Sequence, residues 1–453
     1  MILALICLSF LYVAYRVRSQ KMEDQFGINI YRVAEGFRQP TSGVLGYHNA
    51  QLAQIGLTFG IEGFFGVVFG VMYGPLAVIW CVLGSTFLGC FINYYSGMYA
   101  VAKNRSILAV VEQTWGHKAF VAVTIFVCIL LMIELGVNYV FLLSILSYAF
   151  HASPFWYLLL FVVIGLAFIR PKDFMRCCSV IGAMVILTTL IIVCSSVDVL
   201  IKFDEIGYRF DYPSIKNAYP VMFFVINTGV LSGLQALKGS LMSENLKNER
   251  MGRGIFIGTT LFQAGMVILL ILCFMAWNPY LRILSVTINQ IFSPDVLLYE
   301  RLISHTGKIS YYALFLTMIA ICLISAGSML RLGVKLCRDA QIFPQLSTIT
   351  YGLLLFIIAM LFLIIPFNLY GFELINVLIA VGLMMICLYL RRQKKQSFKW
   401  LLYNIYFFIS ACFAYFPIAV LHFPLIFGIL CGSSIILLLL IWHYYYYRKK
   451  IKN

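Results

Sequence analysis

QLAQIGLTFGIEGFFGVVFGVMY, residues 51–73, is apolar and long enough to cross a bilayer, yet it makes a poor continuous helix. Glycines stand at 56, 60, 63, 66 and 70, and a carboxylate, Glu62, lies near the middle. A second stretch of the same kind, VMFFVINTGVLSGLQALKGS at 221–240, carries Asn227, Gly229, Ser232, Gly233, Gln235 and Gly239. Within a membrane, backbone polar groups leave helical pairing only where protein buries them or a cavity hydrates them. Two glycine-interrupted spans in matching places therefore point to a transporter's binding site near the bilayer midplane. Close helix packing is the competing account. Small residues four apart let two backbones approach, and Gly56/Gly60 and Gly66/Gly70 have that spacing.

The rest of the chain fits a polytopic membrane protein. Of its 453 residues 62% are hydrophobic and 11% charged. Thirteen spans are predicted. They run over Met1–Tyr15, Gln51–Tyr73, Pro75–Ala100, Phe120–Tyr148, Pro154–Ile169, Ser179–Ile201 and Val221–Leu237. The remainder are Gly254–Trp277, Tyr311–Met329, Thr348–Pro366, Phe372–Leu390, Leu401–Leu421 and Phe423–Trp442. Lysine and arginine then give the orientation. The connections after odd-numbered spans and the C-terminal tail hold 27 of the 33, and the long loops after spans 6 and 8 hold the others. On this reading no cation lies within a span. Such asymmetry places the odd connections and the C-terminus in the cytoplasm and the N-terminus outside. The net charge of +16 is this bias facing anionic lipid and gives no reason to expect nucleic acid. The cysteines have no disulfide or metal spacing, so no cofactor or metal is expected.

Orientation gives the two broken spans meaning. Span 2 runs outward and span 7 inward, so spans 2–6 and 7–11 form two five-helix units of opposite sense. The expected fold is all-α, about 13 transmembrane helices around an inverted five-helix repeat of the LeuT/APC type. The chain divides into 1–50 (first span and cytoplasmic loop), 51–201 (first repeat unit), 202–390 (second repeat unit with two outer loops) and 391–453 (two peripheral helices and a basic tail). The outer loop Asn278–Ser310 contains IFSPDVLLYERLISHTG, expected to form a short amphipathic helix on the membrane surface.

Two carboxylates fall deep within spans, Glu62 in span 2 and Glu134 in span 4. An ionisable group at that depth is costly and marks function by default, here proton or ion coupling; a neutral acid bonded to a neighbouring helix is the plainer account. His48, just before span 2, is a further candidate for proton transfer, although a lone histidine there is more often structural. Asn227, Ser232 and Gln235 suit hydrogen bonding to a small polar solute. Asn93 and Asn138 read better as bonds between helices.

GYHNAQLAQIG at 46–56, IWCVLGSTFLGCFIN with RSILAVVEQTWG, SVIGAMVIL at 179–187, and GVLSGLQALKGS with NER resemble, in order and spacing, the core motifs of the carbon starvation protein A transporters. The likeness covers roughly residues 1–340. It implies a secondary transporter, importing pyruvate or short peptides in nutrient scavenging during carbon starvation. By motif, His48 matches the family's second histidine, and Gly229, Ser232 and Gly233 match its second broken helix. This chain departs at Tyr47 and Gln235, where the family has histidine, at Asn93, where it has aspartate, and at Gln263, where it has glutamate. The intramembrane ionisable burden then falls on Glu62 and Glu134.

The expectation is a bacterial cytoplasmic-membrane symporter and not an enzyme. Its partners would be a small carboxylate-bearing solute, membrane lipid and a coupling proton or Na+. Gly56, Gly60 and Gly63 would line the substrate site together with Asn227, Gly229, Ser232, Gly233 and Gln235; Glu62, Glu134 and His48 would serve coupling. Exposed N–H groups at half-helix N-termini would favour the carboxylate. The alternative is a nutrient sensor or scaffold that keeps the fold without transporting.

Overall fold

The computed structural model describes residues 45–60, 63, 85, 89–103, 105–150, 158–197, 233–246, 253–277, 299–362, 379–380, 382–387, 389–390, 434, 437–438 and 441. These residues are almost all helical. In chain order α1 is Tyr47–Thr58, α2 Cys90–Lys103, α3 Ala109–Trp115, α4 His117–Phe150, α5 Leu158–Phe168 and α6 Pro171–Ser195. There follow α7 (Leu234–Lys238), a tighter 3-10 segment (Gly239–Asn245) and a wide π turn (Arg253–Gly258). The order closes with α8 (Thr259–Trp277), α9 (Tyr299–Asp339) and α10 (Thr348–Phe362).

Local chemistry sets several of these boundaries. α6 begins at Pro171, whose fixed φ suits the first helical turn, with Asp173 in that turn facing the positive end of the helix dipole. α3 ends at Gly116, whose φ of 84° lets its N–H return to Glu112 O at 3.1 Å before α4 starts. Four helical stretches are long and apolar enough to cross a membrane: His117–Val140, Pro171–Ser195, Gly254–Cys273 and Tyr312–Asp339. Their outer faces carry exposed apolar side chains at helical spacing, Ile125, Phe126 and Ile129 on α4 and Val180, Leu187 and Leu190 on α6. A surface of that kind belongs in lipid.

Two packings organise the core. α1 lies on α6, where Gly56 and Gly182 face each other's helix. A Cβ on Gly56 would stand 1.9 Å from Cys178 O, and one on Gly182 would stand 2.0 Å from Leu52 O. α4 lies along α9: Asn138 Nδ2 reaches Met329 Sδ at 3.8 Å, and the Cys128 and Cys337 thiols are 3.7 Å apart. α5 and α6 pack on α9 as well.

The described ends of the connections after spans 1, 3, 5, 7 and 9 share one face of the molecule. Leu45, ahead of α1, pairs in a parallel bridge with Leu246, beyond the 3-10 segment. Gln51 Nε2 donates to Gly254 O, in the π turn before α8, and Ser179 Oγ donates to Asn49 O. Arg105 Nη2 donates to Asp339 O, joining the loop before α3 to the end of α9. Arg331 Nη1 donates to Ile169 O, joining that end of α9 to the α5–α6 turn.

Two expectations need correction. The segment from Tyr299 onward is one 41-residue helix, so the second half of the expected surface helix is an extension of span 9. Three cations assigned to connections stand on structured elements packed into the core. Lys238, Arg331 and Lys335 direct their hydrogen-bond donors to serine or to backbone oxygens. Lys238 is wholly buried.

Candidate functional site

The first broken span breaks where its glycines begin. α1 stops at Thr58; Phe59 takes φ −80° and ψ 67°, outside helical geometry, and Gly60 O accepts the N–H of Gly63 in a short turn at 3.1 Å. A helix end in the membrane must find partners for its last carbonyls. Thr58 Oγ1 donates to Gln54 O at 2.6 Å, and Phe59 N donates to Ile55 O at 2.7 Å. Gln263 on α8 completes the cap: its Nε2 donates to Thr58 Oγ1 at 2.6 Å and to Ile55 O at 3.4 Å. Beside it, Asn93 Nδ2 on α2 donates to Thr260 Oγ1 at 2.9 Å. The broken end therefore sits in a layer of carboxamides and hydroxyls drawn from spans 2, 3 and 8.

The described end of the second glycine-rich span packs on α1 and α2. α7 begins after Gly233 and gives way after only five residues to the 3-10 segment. Ser96 Oγ on α2 donates to Ala236 O at 2.7 Å. Lys238 ends α7, and its Nζ donates to Ser325 Oγ on α9 at 3.0 Å. Lys335 Nζ donates to Ser240 O at 2.9 Å, so a second cation ties this half-span to α9. Gln54 is buried next to Gly239, its Nε2 3.8 Å from the position of a Cβ there.

The expected site residues are distributed unevenly. Gly60 and Gly63 form the first break. Gly56 lies one turn before it and serves the crossing with α6, so packing accounts for that glycine. Gly233 precedes α7 directly, and Gln235 is its second residue. Glu134 is fully buried on α4 at the α9 interface, where Asn138 Nδ2 donates to its backbone oxygen at 3.0 Å. His48 is exposed in the first turn of α1, ten residues before Thr58, with its ring edge on Tyr47; the structure does not bring it to the break. Glu62, Asn227, Gly229 and Ser232 lie outside the described residues.

Sequence reasoning missed Lys238, Gln54 and Thr58. Lys238 directly follows the broken span and lies four residues after Leu234, which keeps it on one helical face. That spacing was the available signal. Gln54 and Thr58 are also four apart, on the last turn before the break.

No profile of a known protein family matches the chain. A membrane protein of Haemophilus influenzae, named only as uncharacterized, is 23% identical, the match covering 59% of this chain and 88% of that protein. Solved structures are more informative. MhsT in complex with L-phenylalanine superposes with a TM-score of 0.60 at 15% identity, over 88% of this chain and 99% of MhsT. A Na+-coupled sialic acid symporter in its substrate-bound outward-open state gives 0.55 at 13% identity, over 96% of each chain. The Eremococcus coleocola manganese transporter, as its H236A mutant, gives 0.56 at 12% identity, over 89% of this chain and 97% of that one. The chain has the LeuT-type transporter fold. At these identities the likeness speaks for the fold, and the fold places the break at Phe59–Gly60 in an all-α, multi-pass membrane protein.

Proposed function

We propose that this chain is a secondary active transporter of a small carboxylate-bearing nutrient, pyruvate or short peptides, driven by a proton or Na+ gradient. The observation that carries it is the break at Phe59–Gly60, in a chain that shares the fold of solute transporters. α1 points its C-terminal end at the break, and helix C-terminal carbonyls favour a cation. Broken-span transporters use such ends for coupling ions and use half-helix N-termini for anionic substrate groups. Glu62 would take up and release the coupling proton, with Glu134 as a second ionisable group. The sequence resemblance to carbon starvation protein A transporters supplies the substrate class. Lysine and arginine placement supports a cytoplasmic-membrane location with the shared face of odd connections inside.

Purified protein in liposomes tests the reading. Labelled pyruvate, dialanine and trialanine are offered with and without inward proton and Na+ gradients. Gradient-dependent accumulation of one of them is expected. Uptake indifferent to both gradients sinks the coupling, and uptake of none sinks the substrate class. Glu62→Gln is expected to abolish the pH dependence of uptake.

A further inference from the structure

Cys128 and Cys337 are 209 residues apart in the chain, and no spacing along the sequence pairs them, yet the fold sets them side by side where α4 runs along α9. Their Sγ atoms are 3.7 Å apart, near the roughly 3–3.5 Å at which reacting atoms are poised to combine. One order of hydrogen bonds uses both thiols. Cys128 Sγ donates to Gly333 O at 3.9 Å, which leaves its sulfur to accept from Cys337. Gly333, one turn before Cys337, lets α9 come this close: a Cβ there would stand 3.0 Å from Leu355 Cδ1 on α10 and 3.3 Å from Met132 Cε on α4.

Both thiols are buried, at 7% exposure or less, and a buried thiol is ordinarily inert. The way α9 ends gives access. Ile342 N donates to Cys337 O and Gln341 N to Arg338 O, the paired bonds of a helix end that usually puts glycine in the left-handed position. Here that position is held by Gln341 at φ 53°, whose Cβ is crowded as a glycine's hydrogen would not be. Cys337 thus stands in a last turn closed by a strained cap, next to a chain that is exposed from Phe343 through Gln345. Helix ends of this kind open most readily. Lysine and arginine placement puts this end in the cytoplasm, where thiols rest reduced and disulfides are transient and redox-sensing.

We propose that Cys128 and Cys337 are a redox-reversible modification site: hydrogen peroxide converts the pair to a disulfide that fastens α4 to the last turn of α9. Cys337, at the strained end, reacts first. Its sulfur attacks one peroxide oxygen; an S–O bond forms, the O–O bond breaks, and the thiol proton leaves with the other oxygen as water. The Cys128 sulfur then attacks the sulfenic sulfur. An S–S bond forms, the S–O bond breaks, and the hydroxyl leaves with the Cys128 proton as a second water. The two sulfurs together lose two electrons, and the peroxide gains them. A cytoplasmic dithiol restores the pair by exchange. Lys335, two residues before Cys337, donates to Ser240 O, so the bridge forms in the turn that ties α9 to the 3-10 segment.

Peptide mapping tests the site without reference to any substrate. Full-length protein in lipid nanodiscs is treated with hydrogen peroxide, denatured, capped with iodoacetamide and digested without reductant. The expected product is a peptide pair joined through Cys128 and Cys337, lighter than the two free peptides by two hydrogens and lost on adding dithiothreitol. Oxidation should raise Tm and slow hydrogen exchange over residues 333–339, because the bridge closes a loop of 209 residues. Neither change should occur in Cys128→Ser or Cys337→Ser. Should serine prevent folding, Cys128→Ala serves as the unbridged control. Recovery of the two cysteines unlinked overturns the proposal, whether both are capped, each is oxidised alone or each is joined to another thiol. A linked pair with Tm and exchange unchanged overturns the fastening of α4 to α9.

Discussion

At the scale of the residue, Gly56 and Gly182 leave no room for a side chain, because backbone oxygens of the opposing helix occupy that space. A carbonyl cannot rotate away as a side chain end can, so Gly56→Ala must push α1 and α6 apart. We expect a loss of about 1–3 kcal/mol, read as a fall in Tm of the detergent-solubilised protein. Gly165 on α5 is the control. Nothing lies within 4 Å of its Cβ position, and Gly165→Ala should leave Tm unchanged or raise it. Glu112 gives a pH-dependent counterpart on the shared face. His117 Nδ1 at 2.9 Å and Arg105 Nη2 at 2.8 Å hold its carboxyl below the ordinary range, the His117 hydrogen bond being the larger cause. A depressed carboxyl stabilises the fold fully above its unfolded pKa of about 4.3 and loses that contribution as pH falls through the lower folded value. The group is partly exposed, so the gain is small. Glu112→Gln should lower Tm slightly at neutral pH, and the difference from wild type should vanish in acid. An equal difference at both pH values would show that the pairing is not its source.

At the scale of the element, much was legible in the chain. The glycine spacing of 51–73 announced a discontinuity, and the helix does end there, because Phe59 and Gly60 leave helical geometry where Thr58 and Gln263 take over the capping. Asn93 and Asn138 do join helices, as their polarity within apolar spans suggested. The same glycines could not say which of them pack and which break, since that depends on what lies opposite. For Gly56 the answer is Cys178 O, 122 residues away in sequence. The length of α9 was hidden for a different reason. Arg331 and Lys335 look like loop charges, yet they remain helical by donating to Leu166 O, Ile169 O and Ser240 O. Lys238 was hidden the same way, since a lysine after an apolar run reads as an interface anchor until its partner is seen. Gln263 offers the test at this scale. Gln263→Leu keeps the volume and removes the donor to Ile55 O and Thr58 Oγ1, at a cost of about 1–3 kcal/mol in a buried site. The half-helix should fray at its broken end. Hydrogen exchange over residues 55–60 should quicken while α6 stays protected; uniform protection would assign the hold on that end to other groups.

At the scale of the whole molecule, charge parity along the chain corresponds to a face in space. Spans 2, 6 and 8 begin, and spans 3, 5 and 9 end, at points linked by Gln51–Gly254, Ser179–Asn49, Arg331–Ile169 and Arg105–Asp339. A single misplaced span would have thrown later connections to the opposite side, so the contacts support the order of crossings from span 2 through span 9. Geometry alone does not say which side of the membrane this face meets. That assignment rests on lysine and arginine, and the loop between α9 and α10 tests it. Residues 340–347 are largely exposed, with Phe343 at 67% exposure and positive φ at Gln341 and Phe343, so the backbone there turns without helical pairing. An epitope inserted after Phe343 should therefore leave the core intact, because the chain is exposed from Phe343 through Gln345. In intact cells it should be invisible to antibody applied from outside, and it should become visible once the cytoplasmic membrane is opened. Recognition in intact cells, with Tm and uptake unchanged, would reverse the orientation. The described ends of the connections after spans 1, 3, 5, 7 and 9 share that face, so the reversal would carry α1 and α7, and Lys238 with them, to the outer half of the bilayer.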